Sequence, residues 1–336
     1  MFCYFSPKGF IFSFSPKGFI RLAEGFNPAQ GTLFNSRSLE VVKLYLAYYN
    51  LRLRNTKYGI RNTKYAIPNP VSILFYFYRS GGRRNQDSFP QEFYMSFFEE
   101  LAATWLEVLG KPPTQRQIMQ FARYADLLIE WNTHINLTAI TDPKEIVVKH
   151  FLDSLSILAA LDPIASKPFK LIDVGSGAGF PGMAVAIMRP TWHMTLLDST
   201  RKKVDFLRLV AHELKLNQVT LLWGRAEKLA QQASQREQYH AAVARAVAPL
   251  PVLAEYCLPF VSVGGHWVAQ KGPKAREEVF ISRNAFGQLG GKLRAVETIT
   301  VPGMADQIRH LIIVKKAKAT PRTFPRRPGI PSKRPL

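Results

Sequence analysis

From residue 95 onward the apolar positions fall into two regimes. Phe97, Phe98, Leu101, Trp105 and Val108 recur at helical spacing and predict a helix ending before the Gly110–Pro113 break. Ile118, Phe121, Ala122, Ala125, Leu128 and Ile129 predict a second amphipathic helix. A loop follows over Asn132–Asp142, and then Ile146, Val147, His150, Phe151, Leu155 and Leu158 mark a third helix. These stripes read as packing faces, so residues 95–168 predict a small N-terminal helical cap. After Phe169 short apolar runs alternate with helical stripes. The runs Lys170–Val174, Thr195–Leu197, Val219–Leu222, Ala241–Ala244 and Gly265–Gln270 predict strands. Between and after them, Gly182–Met188, Lys202–Lys215, Leu250–Pro259 and Ala275–Phe286 predict helices, and Lys292–Thr300 with His310–Lys315 predict a terminal pair of strands. Alternation of this length means a mostly parallel seven-stranded sheet covered on both faces, an α/β class spanning 169–316.

Charge changes this picture at the two ends. The chain has 336 residues and a formal charge of +21, which points to a polyanionic partner. Residues 1–94 carry a net +9 and residues 315–336 a net +8, leaving +4 for 95–314. The predicted enzyme body is therefore mildly basic. The tail, 317–336, is basic and proline-rich: Thr320–Leu336 holds five prolines. Such spacing forbids a long regular helix. Phosphate contact through Arg322, Arg326 and Arg327 is one reading of it, a solvated tail a second, and packing against the body a third. The two cysteines, Cys3 and Cys257, have neither metal spacing nor a framework of pairs; no metal is expected, and a reducing cytoplasm fits.

Residues 1–94 follow neither regime. The segment FSPKGF occurs at 5–10 and again at 14–19, and RNTKYGI at 54–60 is followed at once by RNTKYAI. Neither unit has the length of a solenoid repeat. The apolar run Val71–Tyr78 is too short to cross a bilayer, and Pro, Lys and Gly interrupt the region where a signal peptide would lie. The stretch reads as an atypical extension outside the folded domain, of a kind that a start codon assigned too far upstream would produce, with Met95 opening the regular sequence. A basic RNA-binding arm or a membrane-associated arm are the functional alternatives.

The densest chemical signal is residues 171–182, LIDVGSGAGFPG. A predicted strand ends in Asp173, three glycines alternate with small residues, and a helix follows. A second predicted strand ends in Asp198. Gly175, Gly177 and Gly179 let backbone approach a ligand without a Cβ in the way, and an acid at the next strand end suits a ribose diol. A tight glycine turn without ligand is the alternative.

Several separated blocks together resemble the RsmG (GidB) family of class I, Rossmann-like methyltransferases. They are Trp131-Asn132 with Asn136-Leu137-Thr138, Lys149-His150-Phe151-Leu152-Asp153-Ser154, Asp173 to Gly182, Leu197-Asp198-Ser199, Arg225-Ala226-Glu227, Ala244-Arg245-Ala246-Val247 and Gln270-Lys271-Gly272. The proline-rich ending resembles one branch of the family. The resemblance covers about two thirds of the chain; residues 1–94 have no counterpart. It implies an enzyme that moves the methyl group of S-adenosyl-L-methionine to N7 of a guanine in 16S small-subunit ribosomal RNA. It implies naked RNA or the 30S particle as partner, in the cytoplasm, with no membrane and no obligate protein partner, as a monomer.

By the same resemblance Asp173, Gly175, Gly177, Gly179 and Phe180 flank the cofactor, Asp198 takes its ribose, and Ala226 and Glu227 lie at the adenine edge. For Glu227 a solvent-facing strand-to-helix cap is the alternative. Arg245, at a strand end, orients the methionine carboxylate, an RNA phosphate or the guanine, or else is a structural arginine. Lys271, Lys149 and His150 are substrate-orienting candidates. Lys149 and Asp153, four apart on a helix, equally suit an ion pair beside a packed histidine. Lys203 stands where the family commonly has arginine, retaining charge for RNA while losing a bidentate fork. No residue is required as a base, because N7 has a free lone pair and alignment supplies much of the catalysis. A noncatalytic RNA-binding protein with a retained nucleotide pocket is the competing reading. A nicotinamide enzyme and a protein or small-molecule methyltransferase are more distant ones.

Overall fold

The structure, a computed structural model, describes residues 3–5, 11–14, 20–22, 112–245, 248–301, 303–304 and 307–336. The helix expected over Phe97–Val108 lies outside the described residues. The chain divides into two units, residues 1–74 and 75–336. In the first, β1 (Cys3–Phe5), β2 (Ile11–Phe14) and β3 (Ile20–Leu22) form a three-stranded antiparallel sheet. In sequence, the two FSPKGF copies begin at the ends of β1 and β2.

In the second unit, α1 (Gln115–Asn132) opens on a reciprocal cap. Thr114 Oγ1 accepts the Gln117 N–H, and Gln117 Oε1 accepts the Thr114 N–H. The helix buries the expected stripe except Ile129, which is half-buried, and adds Tyr124 and Leu127. The third expected helix is not a uniform α-helix. After one turn at Pro143–Glu145, residues Ile146–Leu152 form a π-helix, in which the Asp153 N–H reaches back to the Val148 carbonyl, and α-geometry resumes at Asp153–Leu155.

The seven-stranded sheet runs β6-β5-β4-β7-β8-β10-β9. Its strands are β4 (Lys170–Val174), β5 (His193–Asp198), β6 (Val219–Trp223), β7 (Tyr239–Arg245), β8 (Val261–Lys271), β9 (Gly291–Ile299) and β10 (Arg309–Lys316). The first five in this order pair in parallel, while β10 is antiparallel to both β8 and β9. The expected terminal pair therefore exists, with β10 inserted beside β8. The order reverses at β4 and β7, so the crevice beyond their carboxyl ends is where this topology places a ligand.

Between strands lie α2 (Gly182–Met188), α3 (Arg201–Glu213), α4 (Ala226–Leu229), α5 (Leu250–Cys257) and α6 (Ala275–Gln288). One core cluster joins Leu171 and Val243 to α1, α2, α3 and the π-helical segment. The other joins Ile172 and Ala242 to α5 and α6. Leu171 and Ile172 alternate between these clusters, as strand geometry requires. The helical cap thus belongs to the core on the α2 face. β8 begins four residues before its expected start, because it continues through Gly264 at φ 91° with a register break against β7 between Tyr239 and Ala241.

The tail is anchored to the body, although most of its residues keep an exposed side. Thr320 is buried, its hydroxyl donates to the Leu289 carbonyl at 2.7 Å, and its N–H donates to Glu237 Oε1 at 2.7 Å. Arg236 reaches the Thr320 and Phe324 carbonyls at 2.7 and 2.9 Å. One short helix, Ile330–Lys333, begins after Gly329.

Candidate active site

Backbone amides and two acids build the floor of the site. The Gly175 and Ser176 N–H groups both donate to the Leu197 carbonyl, at 2.8 and 3.0 Å, tying the ends of β4 and β5 together. Asp198, buried at the end of β5, accepts the Gly177 N–H at Oδ2 (2.9 Å) and the Thr200 N–H at Oδ1 (2.7 Å). Each carboxylate oxygen keeps a second lone pair for a ligand hydroxyl. Gly177 has φ 60°, and a Cβ there would find only the Gly175 carbonyl, at 3.9 Å. The loop therefore opens at Gly177. It is closed at Gly179, where a Cβ would collide with the Tyr124 hydroxyl and lie 2.9 Å from Leu207 Cδ2.

Asp173 lies beneath this loop. Its Oδ2 accepts the Gly182 N–H at 2.8 Å, at the start of α2, while its Oδ1 is buried without a hydrogen-bond partner. Burial pushes its carboxyl up to about 7, against the Gly182 hydrogen bond and the pull of Arg245. Its observed role is to cap and seat the glycine loop. Gly182 permits that contact, since a Cβ there would stand 2.7 Å from Oδ2.

The other wall is an aromatic and charged stack that the cap delivers to the sheet. Phe180 is buried, its ring 4.5 Å from that of His150 and 5.4 Å from that of Tyr124, with the Arg245 guanidinium 5.1 Å over its centre. His150 has one ring nitrogen 2.8 Å from Thr138 Oγ1 and the other 3.4 Å from Arg245 Nη2. Burial, with Arg245 alongside, lowers its pKa to about 4. The Thr138 loop is fixed by Asn132, whose Oδ1 accepts the Leu137 and Thr138 N–H groups at 2.8 and 2.9 Å.

Arg245 ends β7 at the crevice, and it is neither solvent-facing nor free. Its Nη1 donates to Asp153 Oδ2 at 2.9 Å, and Arg309 Nε donates to Asp153 Oδ1 at 2.9 Å. The Gln270 side-chain amide donates to the Asp153 carbonyl at 2.6 Å. The expected Lys149–Asp153 ion pair does not form. The wide π-helical turn leaves Lys149 with Glu145 (2.5 Å) and gives Asp153 to the two arginines. Lys271 is likewise engaged, donating to Glu278 Oε2 and the Ala248 carbonyl, both at 2.8 Å.

Toward β6, Ala226 and Glu227 open α4, and both are buried. The solvent-facing alternative for Glu227 is therefore corrected: its Oε1 accepts from Arg225 Nη2 at 2.8 Å and from the Gly329 N–H at 3.1 Å. Burial pushes this carboxyl up, and those hydrogen bonds more than offset it, so its pKa lies below the usual value. Lys203 sits in the first turn of α3, half-buried. Arg322 and Arg327 are exposed on the tail. Arg326 is not available as a free phosphate contact, because its backbone and side chain both bind the fully buried Glu255, at 2.7 to 3.1 Å.

The structure thus brings Asp173, Gly175, Gly177, Gly179 and Asp198 together at the switch point, with Phe180, His150 and Arg245 beside them. Tyr124, Thr138, Asp153 and Arg309 belong to the same cluster and were not among the expected site residues. Thr138 and Asp153 lay in blocks that carried the family resemblance, which was the signal available. Tyr124 and Arg309 had none, since each resembles its neighbours in a helix stripe or a strand.

Residues 117–312 match the family described as rRNA small subunit methyltransferase G. The chain belongs to that family. A ribosomal RNA small subunit methyltransferase G of Alkaliphilus metalliredigens is 48% identical over 228 residues, covering 68% of this chain and 94% of that one. Its counterpart in Pelotomaculum thermopropionicum is 45% identical over 242 residues, covering 72% of this chain and all of that one. The methyltransferase G match contains α1 from Gln117 on, the π-helical segment and every strand of the seven-stranded sheet but the last residues of β10.

Proposed function

We infer that the chain transfers the methyl group of S-adenosyl-L-methionine to N7 of a guanine in the 16S RNA of the small ribosomal subunit. The observation that carries this reading is the loop of Gly175 to Gly179, facing Asp198 at the switch point of the sheet, in a chain whose residues 117–312 match methyltransferase G.

The site fits the cofactor. The position above Gly177 is open, the Asp198 carboxylate retains acceptor capacity, and Glu227 accepts both of its observed bonds at Oε1 rather than Oε2. Gly175, Gly177 and Asp198 would hold the ribose and the amino-acid portion, and Ala226 and Glu227 the adenine edge. When bound, the cofactor supplies an activated sulfonium methyl. The residues of the chain then have an orienting task. Arg245 fixes the crevice mouth, its own direction set by Asp153 and Phe180. His150, neutral at pH 7, presents an uncharged ring and is not asked to take a proton. Phe180, Tyr124 and Phe151 exclude water from that wall. Holding N7 in line with the methyl carbon is the main contribution.

Lys203, Arg322 and Arg327 would meet RNA phosphate. The substrate puts the enzyme in the cytoplasm, where it would act as a monomer. No helix among the described residues is long and apolar enough to cross a membrane. Calorimetric titration with S-adenosylmethionine and with NAD tests the cofactor reading. S-adenosylmethionine binding is expected, weakened on the order of tenfold or more by Asp198→Ala, since a hydrogen bond to a charged group is worth about 1.5–3 kcal/mol. Tight NAD binding without S-adenosylmethionine binding would overturn it.

A further inference from the structure

The basic tail is packed beside Glu227, on the α5 face of the sheet and away from the helical cap. Three anchors hold it. The first is Lys316, fully buried at the end of β10, whose Nζ donates to the Leu258 carbonyl at 2.6 Å, to Thr320 Oγ1 at 2.5 Å and to Glu237 Oε1 at 3.1 Å. The second is Arg236, whose guanidinium binds the Thr320, Pro321 and Phe324 carbonyls at 2.7 to 3.1 Å. The third is Arg326 on Glu255, a two-pronged pair on a carboxylate with no exposure, in α5. Gln231, just past α4, adds a bond to the Pro325 carbonyl at 2.9 Å.

These anchors share one destination. Beyond Arg326 the chain turns at Gly329, which has φ 83°, a conformation glycine adopts without strain. There its N–H donates to Glu227 Oε1 at 3.1 Å. The following turn, Ile330–Lys333, packs on α5 with Pro331 buried, and the Ser332 hydroxyl donates to the Gly329 carbonyl at 3.1 Å. The Glu227 side chain is 1% exposed although α4 is only four residues long. Arg225, its other partner, is half exposed, so its pair with Glu227 is screened by solvent.

We propose that the C-terminal segment Thr320–Leu336 is a wall of the cofactor site, acting as a positioning device that holds Glu227 through the Gly329 N–H and so sets affinity for the adenosyl group. This rests on the cofactor reading given above. It assigns the segment a task other than RNA contact: Arg326 acts inward as a fastening, while the exposed Arg322 and Arg327 remain outward.

The test uses the full chain and a chain ending at Pro328, which keeps the Arg326–Glu255 fastening but loses Gly329 and the turn after it. Each is prepared with Glu227 and with Glu227→Gln. S-adenosylhomocysteine affinity is measured by calorimetry, RNA affinity across salt concentrations, and stability by thermal unfolding. Ending the chain at Pro328 should weaken S-adenosylhomocysteine binding about tenfold when Glu227 is present, the loss of one charge-assisted bond. It should change binding less than about twofold when Glu227 is already glutamine, since coupled sites are not additive. Equal losses in both backgrounds would overturn the proposal in favour of general loosening. Unchanged S-adenosylhomocysteine affinity with weaker, less salt-dependent RNA binding would overturn it in favour of an RNA arm. Full-length Glu227→Gln binding S-adenosylhomocysteine as tightly as the unaltered chain would remove its basis. A full-length chain that binds neither S-adenosylhomocysteine nor S-adenosylmethionine would instead refute the cofactor reading itself.

Discussion

Arg245 connects the chemistry of the site to its stability, because its charge is balanced by a buried acid. Arg245→Ala leaves Asp153 with Arg309 as its only cationic partner among the described residues and uncovers the face of Phe180. Breaking a buried pair in this way should cost about 3 kcal/mol, measured by urea unfolding. Methyl transfer should fall on the order of a hundredfold, as when one oriented donor is removed. Arg245→Lys should recover part of the stability through its charge and little of the transfer, since an ammonium group lacks the planar fork. Full activity in Arg245→Lys would show that position needs charge alone. His150 and Asp173 give the site opposite pH dependences. The unfolded chain protonates histidine near 6.5 and the folded chain only near 4, so the unfolded state binds more protons in that window. Stability is therefore fully present above about pH 6.5 and is lost as pH falls, by up to about 3 kcal/mol for a shift of this size. Asp173 runs the other way: the folded state binds more protons between 3.8 and about 7, so its contribution is lost as pH rises through 7. Because the two slopes oppose over nearly the same window, they largely cancel in the parent between pH 4 and 6.5; His150→Gln should uncover a fall in the unfolding midpoint toward pH 7, and Asp173→Asn a fall toward pH 4. A His150→Gln profile that overlays the parent would mean the imidazole is not held neutral.

Among elements, the glycine loop separates folding from binding within three residues. Gly179→Ala forces a side chain into φ 104° and against Tyr124 and Leu207, so it should cost about 3 kcal/mol or more. Gly177→Ala meets open space on the protein side and should cost only about 1–2 kcal/mol from its left-handed backbone. Its methyl group would stand where the ligand comes, so cofactor affinity should fall while the circular-dichroism spectrum stays intact. The reverse order of stabilities would mean the loop is oriented differently. The strands of this element set were legible because parallel strands buried on both faces read as short apolar runs; β4 and α2 have their expected limits. The π-helix was not legible. Ile146, Val147, His150 and Phe151 suit an α-helical stripe equally well, and only the reach of Asp153 to Arg245 and Arg309, from distant strands, distinguishes the wider turn. The packing of the tail was not legible for a related reason. Prolines and arginines look solvated until Glu255, Glu237 and Glu227, all more than sixty residues earlier, are known to face them.

At the scale of the whole molecule, the charge has two destinations. The +21 of the chain led to a polyanion as partner, yet several of its basic groups are turned inward: Arg245 and Arg309 on Asp153, Arg326 on Glu255, Lys316 on Glu237. The outward remainder includes Arg322 and Arg327, which on the reading proposed above would meet RNA. Charge alone does not distinguish RNA from DNA, or one base atom from another; membership of the methyltransferase G family supplies that choice. The most direct measurement incubates the full chain with S-adenosylmethionine labelled in its methyl group and small ribosomal subunits from cells lacking this methylation, with naked 16S RNA and unrelated RNA alongside. Label is expected in the 16S RNA, recovered after nuclease digestion as 7-methylguanine, and absent from unrelated RNA. Label on another base or another guanine atom, or no transfer to any undermethylated substrate by a chain that binds the cofactor, would contradict the account.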